Sequence, residues 1–277
     1  MSDPVPLAIP IDGECSCPAT LHRAGAGAPL VVHLHAGAFV SAPSDTVPCV
    51  VKLLVQAGAT VVSLHYPLAP VHPFPRAVEA SYAALQWLHR HRRKLSGDAD
   101  TPLFVAGEEA GGNLAAAASL VARDRGEPVL AGQILFSPML DVCVATASLR
   151  DAHAGPVGCR WADGWHQYLP RASDALHPYA TPGAAVRLAG LPRTLLVSAH
   201  DDPFRDETAA YAERLRAECV PVDTLMLPPP SGFPAAYMKA PACDAPWIAA
   251  VRARLERFLA HAHPTQAFPN QPRRISS

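Results

Sequence analysis

Pro102-Leu103-Phe104-Val105-Ala106-Gly107-Glu108-Glu109-Ala110-Gly111-Gly112-Asn113, continuing as LAAAASLVA to residue 122, decides the fold. A short apolar run ends in a glycine-rich turn and restarts as an Ala/Leu-rich stretch. That order is a buried strand, a tight turn and a helix packed back on the strand. The turn carries two adjacent acids, Glu108 and Glu109, between Gly107 and Gly111. A carboxylate there lies at a helix N-terminus, where unpaired N–H groups favour an anion.

Outward from this unit the same alternation repeats. Residues 28–35 (APLVVHLH) and 60–66 (TVVSLHY) read as buried strands, with a helical stretch between them that ends at Gly58. Residues 76–95 have helical spacing at Val78, Tyr82, Leu85 and Leu88 and a basic last turn. Residues 129–138, 193–199 and 222–228 predict further strands, and 206–220 and 246–262 further helices. Repeated β-α alternation predicts an α/β fold, a mostly parallel sheet with helices on both faces. One segment, 141–185, breaks it with Trp161, Trp165, Tyr168 and Tyr179 among small and polar residues. It follows the C-terminal end of a parallel strand, where ligands bind in open α/β folds, and is read as a small lid. The alternative is a surface helix pair held by aromatic anchors.

Length and composition fit one domain over residues 1–263, followed by a polar, proline-bearing tail at 264–277 expected to be disordered. Hydrophobic residues make up 49% and the formal net charge is −1, without a basic block. Nucleic acid and anionic membrane surfaces are therefore poor partners. No basic-then-apolar leader opens the chain and no apolar run is long enough to span a bilayer. The seven cysteines are read as reduced thiols of a cytoplasmic protein. Cys15 and Cys17 lack a second pair at zinc spacing, and His33, His35 and His65 lack a completing ligand, so no metal and no cofactor are expected. A homodimer is left open.

Four motifs in order carry a resemblance. Gly107-Glu108-Glu109-Ala110-Gly111 resembles the G-x-S-x-G turn of α/β-hydrolases. His35-Ala36-Gly37-Ala38-Phe39 resembles the H-G-G-G-F loop, and Tyr66-Pro67-Leu68-Ala69-Pro70 with His72-Pro73-Phe74-Pro75 the Y-R-L-A-P-E-H-P-F-P segment, of the hormone-sensitive-lipase-like esterases. Asp202-Pro203-Phe204-Arg205-Asp206-Glu207 resembles their D-P-L-R-D-E. The resemblance spans about residues 28–262 and implies the α/β-hydrolase fold. It also implies that Glu109 stands at the nucleophile position, Asp202 at the acid, and Ser231 of Ser231-Gly232-Phe233 at the position of the catalytic histidine. Backbone N–H groups of Gly37, Ala38 and Ala110 would form the oxyanion hole, and His35 would support its loop.

Only Asp202 keeps its family identity, so ordinary serine-esterase activity is not expected. Glu109 is long enough to fold back into the oxyanion donors and occupy the hole itself. Glu108 is read as a loop-stabilising carboxylate that points away from Glu109, and His200 as a strand-end residue that could stand in as base. Only about 34 residues precede His35, which leaves the pocket covered mainly by 141–185 and more open than usual. Three readings follow. The first is a pseudo-hydrolase that binds a small acyl or aromatic molecule or regulates. The second is a lyase- or cyclase-type enzyme using Glu109 as acid/base. The third is a residual ester hydrolase with a relocated base.

Overall fold

The computed structural model describes residues 3–13, 15–42, 47–152, 156–238 and 245–261. The tail expected to be disordered, 264–277, and the end of the expected domain lie outside them. Eight strands form one sheet in the order β1-β2-β4-β3-β5-β6-β7-β8. The parallel body is β3 (Leu30–Leu34), β4 (Thr60–Leu64), β5 (Leu103–Glu108), β6 (Gly132–Phe136), β7 (Thr194–Ala199) and β8 (Val222–Leu227). Every residue of β3, β4, β5, β6 and β7 is buried, as expected of strands covered on both faces.

Alternate side chains feed two cores. Leu30, Val32, Leu34, Leu103 and Val105 pack on one face, against α2 (Arg76–Ser96), α3 (Ala110–Arg125) and α6 (Arg205–Ala217). Val31, Phe104 and Ala106 pack on the other, against α1 (Cys49–Gln56), α7 (Ala235–Met238) and α8 (Ile248–Ala260). The period of two along each strand and the helical stripes thus meet as the α/β reading requires.

Two strands were not anticipated. Val5–Asp12 (β1) and Cys15–His22 (β2) pair antiparallel with each other, and β2 pairs antiparallel with β4 at one sheet edge. Cys17, Ala19 and Leu21 are buried at every second position of β2. Pro6, Pro10 and Pro18 hid the pattern, since proline normally argues against a strand except near sheet edges.

The 141–185 segment contains α4 (Ala147–Asp151), α5 (Pro156–Tyr168) and two short 3₁₀ turns, at Ala172–Leu176 and Pro182–Ala184. Trp161, Trp165 and Tyr168 of α5 are buried in the first core. Burying side chains of this size contributes roughly 1.5–3 kcal/mol each. Gly164 makes the approach of α5 to the 35–39 loop possible, since a Cβ there would stand 2.3 Å from the carbonyl oxygen of Ala38. α5 is thus seated directly on that loop, and Glu109 beneath it is fully buried.

Candidate functional site

The site begins at the turn between β5 and α3. Glu109 has φ 54° and ψ −116°, a backbone conformation that side chains other than glycine rarely adopt. Holding it costs of order 1–3 kcal/mol, which surrounding contacts must offset. One of them is the packing of α3 on β3: a Cβ at Gly111 would stand 2.0 Å from the carbonyl oxygen of Leu34. Only glycine lets the helix start this close to the sheet. The strained turn raises the Glu109 side chain above the carboxyl end of the strand, toward the 35–39 loop and α5.

Its carboxylate is fully buried, at 0% exposure, and accepts from four donors. Oε2 accepts the backbone N–H groups of Gly37 at 2.5 Å and Ala38 at 3.0 Å. Oε1 accepts the indole N–H of Trp161 at 2.6 Å and the guanidinium of half-exposed Arg160 at 2.8 Å. One ion pair and three further donors compensate the buried charge, as such a charge requires. Ala110, the first residue of α3, is buried beside it.

The neighbouring acid takes other partners. Glu108 Oε2 accepts from His33 Nε2 at 2.8 Å, and Oε1 accepts the Ala36 N–H at 3.3 Å. His33 Nδ1 meets the Ser63 hydroxyl at 3.0 Å. The two acids therefore accept from different N–H groups of the 35–39 loop and are not hydrogen-bonded to each other. His35 donates from Nδ1 to the carbonyl of Ala36 at 2.7 Å and stacks on Tyr66 at 4.2 Å between ring centroids. Tyr66 in turn donates to the carbonyl of His35 at 2.8 Å. Burial pushes the His35 imidazole down to about 3, so the ring is neutral. His65 lies just past β4, exposed, with Thr20 as its ring partner.

Asp202 and Ser231 are not hydrogen-bonded to each other. Asp202 Oδ2 accepts the hydroxyls of Ser137 at 2.6 Å and Ser198 at 2.7 Å, and Oδ1 accepts the N–H of Phe204 at 2.9 Å. Burial pushes this carboxyl up, against the pull of those three donors. Ser137 also meets the hydroxyl of buried Tyr237 at 3.0 Å; with the serine proton given to Asp202, Tyr237 is the donor. Ser231 gives its N–H to Asp201 at 2.8 Å and accepts the Phe233 N–H on Oγ at 3.1 Å. His200 is exposed, and its hydrogen bonds run through its backbone, to Leu227 and from Arg205. Among the described residues no histidine is a partner of the Glu109 carboxylate.

Arg160, Trp161, Ser137 and Tyr237 were not anticipated as members of this site. Trp161 was visible as a lid aromatic. What went unused is that a buried carboxylate demands donors, and Arg160-Trp161 offers a guanidinium and an indole N–H side by side. Among the described residues no group of three or more His, Cys, Asp or Glu side chains could hold a metal ion. Among them, too, no helix is long and apolar enough to cross a membrane.

The profile of a family described as alpha/beta hydrolase fold matches residues 31–230. The chain is 37% identical to Esterase LipI of Mycobacterium tuberculosis over 209 residues, covering 72% of this chain and 63% of that protein. It is 33% identical over 198 residues to the gibberellin receptor GID1A of Arabidopsis thaliana, covering 68% of this chain and 57% of the receptor. These matches thus span less than two thirds of either relative. Among solved structures, esterase LipW from Mycobacterium marinum superposes with a TM-score of 0.81 at 32% identity, covering 94% of this chain and 82% of that one. Profile, relatives and sheet topology agree: the chain belongs to the α/β-hydrolase family, on its hormone-sensitive-lipase-like esterase branch.

Proposed function

We propose that this protein is a non-hydrolytic α/β-hydrolase, a small-molecule-binding or regulatory protein in which Glu109 occupies the oxyanion hole. The observation that carries the reading is the Glu109 carboxylate accepting the Gly37 and Ala38 N–H groups. In acyl transfer such donors wait for the oxygen that becomes negative in the transition state. Here a resident carboxylate oxygen stands in for that oxyanion, so the donors have no vacancy to offer a substrate carbonyl. A serine triad would in addition need a nucleophile and a base, positions that the resemblance assigns to Glu109 and Ser231. Losing either alone costs on the order of 10⁶ in rate in a precedent serine protease.

The same burial weighs against Glu109 as an acid/base in altered chemistry. Both of its oxygens are engaged, and α5 lies between them and solvent. A relocated base finds no support at His200, which is exposed. That a relative carries the name gibberellin receptor supports a binding role on this scaffold. Residence in the cytoplasm belongs to the same proposal and draws on the free thiols of Cys15, Cys17, Cys143 and Cys219. The test is an irreversible serine-directed phosphonate followed by mass spectrometry. The expected result is an unlabelled protein; labelling at Ser231 would overturn the reading.

A further inference from the structure

A cavity of about 490 Å³ lies away from Glu109, between α2, the end of β1 and the turn at 177–179. Its size is in the range of small-molecule sites. Its walls are aromatic and half polar. Phe74, Tyr82 and Tyr179 contribute rings, and His177 packs against Phe74 at 5.2 Å between centroids. His177 Nδ1 accepts the N–H of Tyr179 at 3.1 Å, which leaves Nε2 to carry the proton of the neutral ring.

The charges are arranged unevenly. Arg76 is held by two acids, Asp12 at 2.8 Å and Glu79 at 3.5 Å. Arg125 has no carboxylate within 4 Å among the described residues; its guanidinium carbon lies 4.6 Å above the Tyr82 ring. Tyr82 is itself fixed, donating to the carbonyl of Glu127 at 2.8 Å and accepting from Gln86 at 3.2 Å. A guanidinium stacked on a ring keeps its edge N–H donors free, in a fork that matches a carboxylate. Both acids of the cavity pair with Arg76, so among its charged walls Arg125 is the side chain left without an ion pair, and its fork is open to a ligand.

We propose that this cavity binds a small aromatic carboxylic acid, its carboxylate on Arg125 and its flat body among Phe74, Tyr82 and Tyr179. The proposal does not depend on whether the Glu109 site hydrolyses esters, since it rests on different walls. Phe74 does touch both regions: it meets Tyr168 edge-on at 6.0 Å, and Tyr168 stacks on Phe39 of the 35–39 loop at 4.0 Å.

Isothermal titration calorimetry with 3-phenylpropionate and its uncharged amide on the full chain is the direct test. The expected result is saturable binding of the acid, at least about tenfold tighter than the amide, as one charge-assisted bidentate contact supplies. Arg125→Gln should remove that preference while leaving the weak binding of the amide, and Ala83→Trp, which fills the cavity from α2, should abolish both. Circular dichroism establishes that each variant is folded, and Arg125→Gln alters only an exposed position. No binding of the acid to the wild-type chain would overturn the proposal. So would acid binding that survives both folded variants, because the ligand would then lie elsewhere.

Discussion

The carboxylate of Glu109 and the indole of Trp161, 52 residues apart in the chain, share a hydrogen bond of 2.6 Å in a fully buried setting. This contact fastens α5 to the turn that opens α3. It stands beside the bonds that fasten the same carboxylate to Gly37 and Ala38, so one side chain joins three segments. Every partner of the carboxylate is a donor. That single feature makes the role of Glu109 testable by stability as well as by activity.

Glu109→Gln keeps the shape but must turn an NH₂ group toward two donors, whichever way the amide is flipped. Leaving buried donors unpaired costs about 1–3 kcal/mol each. The variant should lose roughly 2–5 kcal/mol in chemical denaturation, a large effect for an isosteric change. A midpoint equal to the wild type would mean that the carboxylate does not hold these segments together.

Trp161→Phe keeps an aromatic ring against Phe204, which the indole meets edge-on at 4.7 Å, and removes the indole N–H together with the pyrrole half of the ring. A hydrogen bond to a charged acceptor contributes about 1.5–3 kcal/mol. Hydrogen exchange in α5 should quicken by roughly 10- to 100-fold, the factor that such a loss gives if the helix opens locally. Exchange rates in β5 should stay as they were. Uniform loss of protection across the sheet would contradict a local latch.

Glu207 sets a pH dependence of stability. Its Oε2 accepts the N–H groups of Leu140 at 2.6 Å and Asp141 at 2.9 Å, while Oε1 is buried without a partner. Burial is the largest influence and pushes this carboxyl up from 4.5 to about 8. The folded state therefore binds a proton more tightly than the unfolded chain does. The contribution is fully present below pH 4.5 and is lost as pH rises through about 8, at up to about 1.4 kcal/mol per unit. Glu207→Gln mimics the protonated acid, so its stability should vary less with pH across that window. Parallel wild-type and variant curves would show that Glu207 does not titrate there.

Much of this fold was legible because its signals are local. The run Leu103–Ala106, the glycines around Glu109 and the Ala-rich start of α3 each obey a short-range rule. The proline-broken hairpin at Val5–Asp12 and Cys15–His22 obeys none, since only the sheet edge makes it a strand pair. For the site, the length of Glu109 and the N–H groups of the 35–39 loop could be read along the chain. The donors from Arg160 and Trp161 could not, because they arrive through the docking of α5. The pairing of Asp202 with Ser137 and Ser198, and of Ser231 with Asp201, is likewise set by how loops at the sheet edge meet.

Repair of a triad should be strongly non-additive. Glu109→Ser alone supplies a hydroxyl without a base, and Ser231→His alone leaves the carboxylate in place; both should stay nearly inactive. The double variant should hydrolyse p-nitrophenyl acetate measurably, provided Asp202 accepts the new imidazole in addition to Ser137 and Ser198. A carboxylate has about four acceptor positions, and Asp202 uses three in the bonds described above. A folded but inactive double variant would mean that the acid has been committed to its serine partners. Activity in Glu109→Ser alone would point to a base elsewhere, with His200 first to be replaced.

If the Glu109 carboxylate fills the oxyanion hole, the wild-type chain has no working esterase site. The most direct measurement is turnover of p-nitrophenyl acetate and butyrate by the purified wild-type chain, with Glu109→Ala in parallel. Both proteins should turn the esters over at the uncatalysed background rate. Hydrolysis by the wild type at an ordinary enzymatic rate, about 1–10³ s⁻¹, would contradict this, and its persistence in a folded Glu109→Ala variant would show in addition that the activity does not use Glu109.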